Sequence, residues 1–151
     1  MSDSIIASEY VPRILKEYRH FILLLSSDQH YLGRSLAWLS RSGEMQRFSQ
    51  LTEEEIKELQ GITSAYEKAV EALWQADHMN YLWLGNNFHE HKGHGHMHLI
   101  PRYEKPREFQ GITFLDTEWG RNCFPHQDFI PPEEVLTAIG EALRAELSAK
   151  K

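Results

Sequence analysis

Three histidines alternate strictly at His94, His96 and His98, inside the run Gly93-His94-Gly95-His96-Met97-His98-Leu99-Ile100-Pro101-Arg102. Side chains of a β-strand alternate between faces, so these imidazoles stand in one row at intervals of about 6.5–7 Å. The pattern requires a strand with a histidine ridge on one face and Gly95, Met97 and Leu99 on the other, and Pro101 is expected to end it. Imidazole, with an ordinary pKa of about 6.5, serves near neutral pH as nucleophile, acid, base or metal ligand. Five of the nine histidines fall between His89 and His98, so this stretch is the first place to look for chemistry.

The remaining chain limits what that chemistry acts on. With 151 residues, 41% of them hydrophobic, it fits one domain (1–151) able to bury a core without disulfide or metal staples. A formal charge of −6 argues against a broad nucleic-acid-binding face but leaves room for a locally positive site for a small anion. Cys123 is the single cysteine, which excludes an intramolecular disulfide and a cysteine-based zinc site. The start Met1-Ser2-Asp3-Ser4 lacks signal-peptide character and no apolar run approaches membrane-spanning length. A cytoplasmic protein without membrane partners is expected.

Phe21–Leu25 reads as a buried strand bounded by Ser26-Ser27-Asp28-Gln29, and Ser35–Ser40 as its antiparallel return after Gly33. Thr52 with Glu55 forms a capping box, and Ile56, Leu59, Ile62, Tyr66, Ala69, Val70 and Leu73 follow as one apolar stripe of a long helix. Asn80–Gly85 predicts a further strand, joined by a polar loop to the histidine strand as an extended hairpin. Ile112–Leu115 adds a short strand. Pro131-Pro132-Glu133-Glu134 opens a C-terminal helix with Val135, Leu136, Ile139 and Leu143 inward. The order predicts an α+β fold: a mostly antiparallel sheet with one long central helix and a C-terminal helix.

The triad with its Leu-Ile-Pro-Arg tail, following Leu32-Gly33-Arg34 between two strands, the capped helix, Asn80-Tyr81 and Leu84-Gly85-Asn86, resembles the histidine-triad (HIT) superfamily. The likeness covers about residues 20–103, with a C-terminal strand and helix at about 104–148. It implies a homodimeric nucleotide hydrolase or transferase acting at the α-phosphate of dinucleoside polyphosphates or nucleoside phosphoramidates, with purine nucleotides favoured. By that resemblance His96 is the nucleophile that forms a nucleotidyl-histidine intermediate. His98 is a candidate to protonate the leaving group, and His94 to orient its neighbour. No metal or other cofactor is required by such a scheme, since a covalent intermediate splits one difficult substitution into two easier steps.

Three departures mark this chain. Gly95 stands where the family carries a larger apolar residue, and His89-Glu90-His91-Lys92-Gly93 replaces a Gly-Gln-Ser/Thr-like segment. Arg34 takes the place of a further family histidine; it can bind phosphate but cannot act as a base. Substrate-binding candidates are therefore Asp28, Arg34, Asn86, His89, His91 and Lys92, with Phe21 and Leu23 beside the nucleoside. Arg102 is read as fixing the strand end. His20, His30, His78 and His126 follow no pattern beyond that of surface residues, and Trp119 reaches the site only if the C-terminal segment folds back. Two other classes fit the histidine cluster: a cupin-like protein binding a divalent metal through Glu90 and the histidines, and an inactive HIT fold that only binds nucleotide.

Overall fold

The computed structural model describes residues 6–41, 47–86 and 94–149. After a 3-10 helix at Ser8–Arg13, the chain forms β1 (Ile14–Glu17), β2 (Phe21–Leu25), β3 (Ser35–Leu39), α1 (Glu53–Trp74), β4 (His78–Trp83), β5 (His96–Arg102), β6 (Arg107–Phe109), β7 (Ile112–Phe114) and α2 (Glu133–Ser148). β1 to β5 make a five-stranded sheet in the order β1-β2-β3-β5-β4. Every neighbouring pair in it is antiparallel. β6 and β7 pair separately, so Ile112–Phe114 is a strand but not part of the main sheet.

The two faces of the sheet carry different loads. Phe21, Leu23, Leu25, Ala37, Leu39 and Leu99 pack with Leu59, Ile62, Tyr66, Ala69, Val70 and Trp74 of α1 and Val135, Leu136, Ile139 and Leu143 of α2 in one core. The alternate residues Ile22, Leu24 and Trp38 form a second cluster on the opposite face. This corrects the placing of Phe21 and Leu23 beside a nucleoside: both are fully buried under the helix. Strand parity gives the other face to Ile22 and Leu24.

The capping box forms as expected. Thr52 Oγ1 accepts from Glu55 N at 3.1 Å, while Thr52 N donates to Glu55 Oε1 at 2.8 Å. Glu55 is also held by Arg41, with Nε 2.6 Å from Oε2, and this pairing keeps its carboxyl below the usual carboxylate range. Glu55 is thereby buried, whereas Ile56 stays exposed and leaves the apolar stripe. Trp74 joins the stripe instead.

β5 runs through Pro101 to Arg102 rather than stopping before the proline. β3 begins opposite Leu99, so Pro101 pairs only with Met79 of β4, and its missing N–H is tolerated at such a half-edge. The turn between β2 and β3 is tightly fixed. Gln29 is fully buried, donating through Nε2 to Ser26 O (2.7 Å) and Arg34 O (3.0 Å) and accepting from Gly33 N (2.7 Å). Gly33 has φ +90°, and a Cβ there would lie 3.0 Å from Trp74. Only glycine fits without strain, and the turn delivers Arg34 to the start of β3.

Candidate active site

The triad lies on the face away from the helices. Register places His96 opposite Trp38 of β3, and His98 between Leu36 of β3 and Leu82 of β4. His94, His96 and His98 are 3%, 3% and 8% exposed, which removes the reading of a solvated surface row. Trp38 supports two of them, with ring centroids 5.5 Å from His94 and 5.8 Å from His96, the latter nearly parallel at 20°. His96 meets His98 edge to face at 5.0 Å.

His94 precedes β5, yet it is fixed by the end of β3. Its Nδ1 donates to Leu39 O at 2.7 Å, and Leu39 N donates to Gly95 O at 2.9 Å. A carbonyl only accepts, so the neutral ring carries its proton on Nδ1 and keeps Nε2 as the acceptor. On the other side of the row, Arg34 Nη2 stands 3.4 Å from His98 Nδ1. Arg34 itself is 8% exposed and pairs with Asp28 Oδ2 at 2.7 Å. It is therefore a buried ion pair touching the triad, not a surface salt bridge.

Asp28 is held by four donors. Oδ1 accepts from His30 N (3.1 Å) and Phe129 N (2.9 Å), and Oδ2 from Arg34 Nη1 (2.7 Å) and His126 Nε2 (2.8 Å). Burial opposes its ionisation, but the hydrogen bonds from Phe129, His126 and His30, with Arg34 nearby, hold the carboxyl below its ordinary range. His126 is a neighbour of the candidate site that sequence reasoning missed. Its side chain is 2% exposed rather than on the surface, and no local spacing could have marked it, because it reaches Asp28 across 98 residues.

His126 arrives on a C-terminal segment that folds back over β4 and β5. Arg102 uses all five of its N–H donors, four of them on that segment and one on Asn80 of β4. Nε and Nη2 grip Asp116 at 2.7 and 3.0 Å, Nη1 reaches Asn80 Oδ1 (2.7 Å) and Arg121 O (3.1 Å), and Nη2 also reaches Glu118 O (2.7 Å). Arg102 thus fixes the strand end, as its position suggests. Phe124 comes 6.1 Å from His98 and lies 5.1 Å from the Arg34 guanidinium. Trp119 stacks instead on His78, whose strand partner is Arg102, at the far end of β4 from the triad.

The structure brings together His94, His96, His98, Arg34 and Asp28. Asn86 is exposed just beyond β4. His89, His91 and Lys92, together with Glu90, lie outside the described residues. A cavity of about 170 Å³ opens beside Trp38, lined by Leu24, Ser26 and Leu36 among others. Among the described residues, Asp28, His126 and Asp128 offer ligand atoms within 4.8 Å of one another. Arg34 Nη1 lies 2.7 Å from Asp28 and 3.4 Å from His126, so a metal ion bound there would face a permanent cation.

The fold is similar to that of solved histidine triad proteins: one from Marinobacter aquaeolei VT8 superimposes with a TM-score of 0.71 at 22% identity, covering 94% of each chain. The histidine triad protein blr8122 from Bradyrhizobium japonicum gives 0.70 at 18%, over 94% of this chain and 96% of that one. A Plasmodium falciparum diadenosine triphosphate hydrolase, solved in complex with cyclomarin A, gives 0.60 at 12%, over 89% and 76%. No protein-family model and no curated protein matches the sequence. The chain has the HIT fold. A cupin-like architecture is overturned, because the described chain forms a single open five-stranded sheet, carrying His96 and His98, backed by two helices.

Proposed function

We propose that this protein is a nucleotide hydrolase or nucleotidyl transferase that acts at the α-phosphate of dinucleoside polyphosphates or nucleoside phosphoramidates through a covalent intermediate on His96. The observation that carries this reading is the triad face itself: His96 set between Trp38 and His98, with the guanidinium of Arg34 beside them. The likeness to a diadenosine triphosphate hydrolase supports it.

In this mechanism an imidazole nitrogen of His96 attacks the α-phosphorus. The new P–N bond forms as the bond to the leaving group breaks, and the leaving atom takes the electron pair. Water or another acceptor then attacks phosphorus, the P–N bond breaks, and His96 is regenerated. His94, tied to Leu39, limits the orientations open to its neighbour. Arg34 supplies positive charge where the phosphoryl group gains negative charge, an effect that is strong in a site shielded from water. The cavity lined by Leu24, Leu36 and Trp38 offers an apolar surface for a purine base. Asn86, His89, His91 and Lys92 are proposed to complete the substrate site, in a homodimer located in the cytoplasm. No helix among the described residues is long and apolar enough to cross a membrane.

The test is incubation of the protein with diadenosine tetraphosphate and with an adenosine phosphoramidate, with and without chelator, following AMP by chromatography. AMP release that survives chelation is the expected result. Release that disappears with chelator, together with stoichiometric metal lost when His94, His96 and His98 are all replaced, assigns the cluster to metal binding instead. Nucleotide binding without release assigns a binding role.

A further inference from the structure

Arg34 is held from behind by a pair of residues that have no part in the triad. Asp28 Oδ2 takes hydrogen bonds from both Arg34 Nη1 and His126 Nε2, at 2.7 and 2.8 Å, and His126 Nδ1 lies 3.1 Å from Cys123 O. An ionised carboxylate has about four acceptor positions. All of Asp28's are used, by Arg34, His126, His30 N and Phe129 N. Asp28 thus has no lone pair left for a ribose hydroxyl, and its carboxylate serves to locate Arg34.

Arg34 in turn acts on His98. A guanidinium only donates, so the contact at 3.4 Å makes His98 Nδ1 an acceptor and leaves the proton of the neutral ring on Nε2. A second proton on Nδ1 would face a permanent positive charge. We propose that His126 and Asp28 are positioning residues that hold Arg34 against His98, fixing His98 as the neutral Nε2–H tautomer, and that this arrangement selects substrates whose leaving group departs as a stabilised anion: nucleoside polyphosphates rather than alkylamines.

The selection follows from the proton balance, and it rests on the nucleotidyl-transfer reading above. When His96 displaces a polyphosphate, the P–O bond breaks and the bridging oxygen keeps the electron pair. That anion needs no proton at neutral pH, and Arg34 is placed to meet its charge. When the leaving group is an alkylamine, the nitrogen must gain a proton as the P–N bond breaks. A neutral His98 can donate a hydrogen bond there but is far too weak an acid to give the proton up. An open pocket of about 620 Å³, lined by Ser26, Asp28, Arg34, Phe124, His126 and Asp128, provides room beside Arg34 for the departing group.

Two measurements test this. In the first, nitrogen-15 NMR of histidine-labelled protein at neutral pH is expected to show His98 with Nδ1 unprotonated and Nε2 protonated. The His126→Ala and Asp28→Asn variants should lose that signature and His126→Gln, which keeps a donor for Asp28, should restore it. In the second, kcat/KM for diadenosine tetraphosphate should exceed that for an adenosine alkylphosphoramidate by about 100-fold or more, the scale of a missing general acid. His126→Ala should narrow that ratio through kcat while KM changes little. A His98 protonated at Nδ1 in the wild type, a signature unmoved by the variants, or equal turnover of the two substrates would each overturn the proposal. Failure of the wild type to turn over either substrate would instead overturn the nucleotidyl-transfer reading, and with it the selectivity, while the NMR result decides the positioning of His98 on its own.

Discussion

His96→Ala is expected to lower AMP release from every substrate of the wild type by at least about a thousandfold, the scale seen when a covalent nucleophile is deleted. No neighbour can take over the attack. His94 is tethered to Leu39, and His98 is engaged by Arg34. The substitution opens a small void against Trp38, and stability should fall by about 1 kcal/mol, far less than the loss of activity. Activity should therefore vanish while thermal melting stays close to wild type. Substantial turnover by a folded His96→Ala protein would remove His96 from the mechanism.

Asp116→Ala is expected to be the most destabilising of the single changes considered. Asp116 is fully buried at its side chain and forms a bidentate pair with Arg102, which is 5% exposed there. It also accepts from Tyr103 N at 3.2 Å and Glu118 N at 3.0 Å. Removing one partner strands a buried guanidinium, which costs about 3–5 kcal/mol. For a domain of this size that lowers the melting temperature by roughly 10 °C. The same anchor secures the segment that carries Phe124 and His126, so activity should fall along with stability. Replacing both partners, as in Arg102→Met with Asp116→Ala, should recover part of the loss, because no buried charge is then left without a partner. A denaturant melt showing less than about 1 kcal/mol of change in Asp116→Ala would contradict this view of the anchor.

What could be read from sequence was what is local in sequence. The alternation at His94, His96 and His98 and the box of Thr52 and Glu55 each depend on residues within four positions of one another; the box forms where the pattern puts it, and β5 carries His96 and His98, while His94 lies just before the strand. β2 spans Phe21–Leu25, as its apolar run indicates. Which side of that strand faces the site was not legible, because a run apolar at every position carries no alternation to orient it. Ile56 fits the stripe of α1 by spacing, but the paired Glu55 takes the buried position. The largest omission is His126. Its importance comes from the fold-back of residues 116–129, which depends on Arg102 meeting Asp116 and on Asp28 meeting both Phe129 N and His126. Such contacts leave no mark in a short window, and a lone histidine beside a proline reads as loop.

In the proposed reaction His96 carries the nucleotidyl group. Its most direct test mixes enzyme with excess radiolabelled diadenosine tetraphosphate, quenches within milliseconds in alkaline denaturant, where a phosphorus–nitrogen bond survives, and maps the label by peptide mass spectrometry. The expected result is an AMP adduct on His96 that forms and decays fast enough to lie on the path and is absent from His96→Ala. An adduct on another residue, or turnover at full rate with no adduct at any time point, would contradict it.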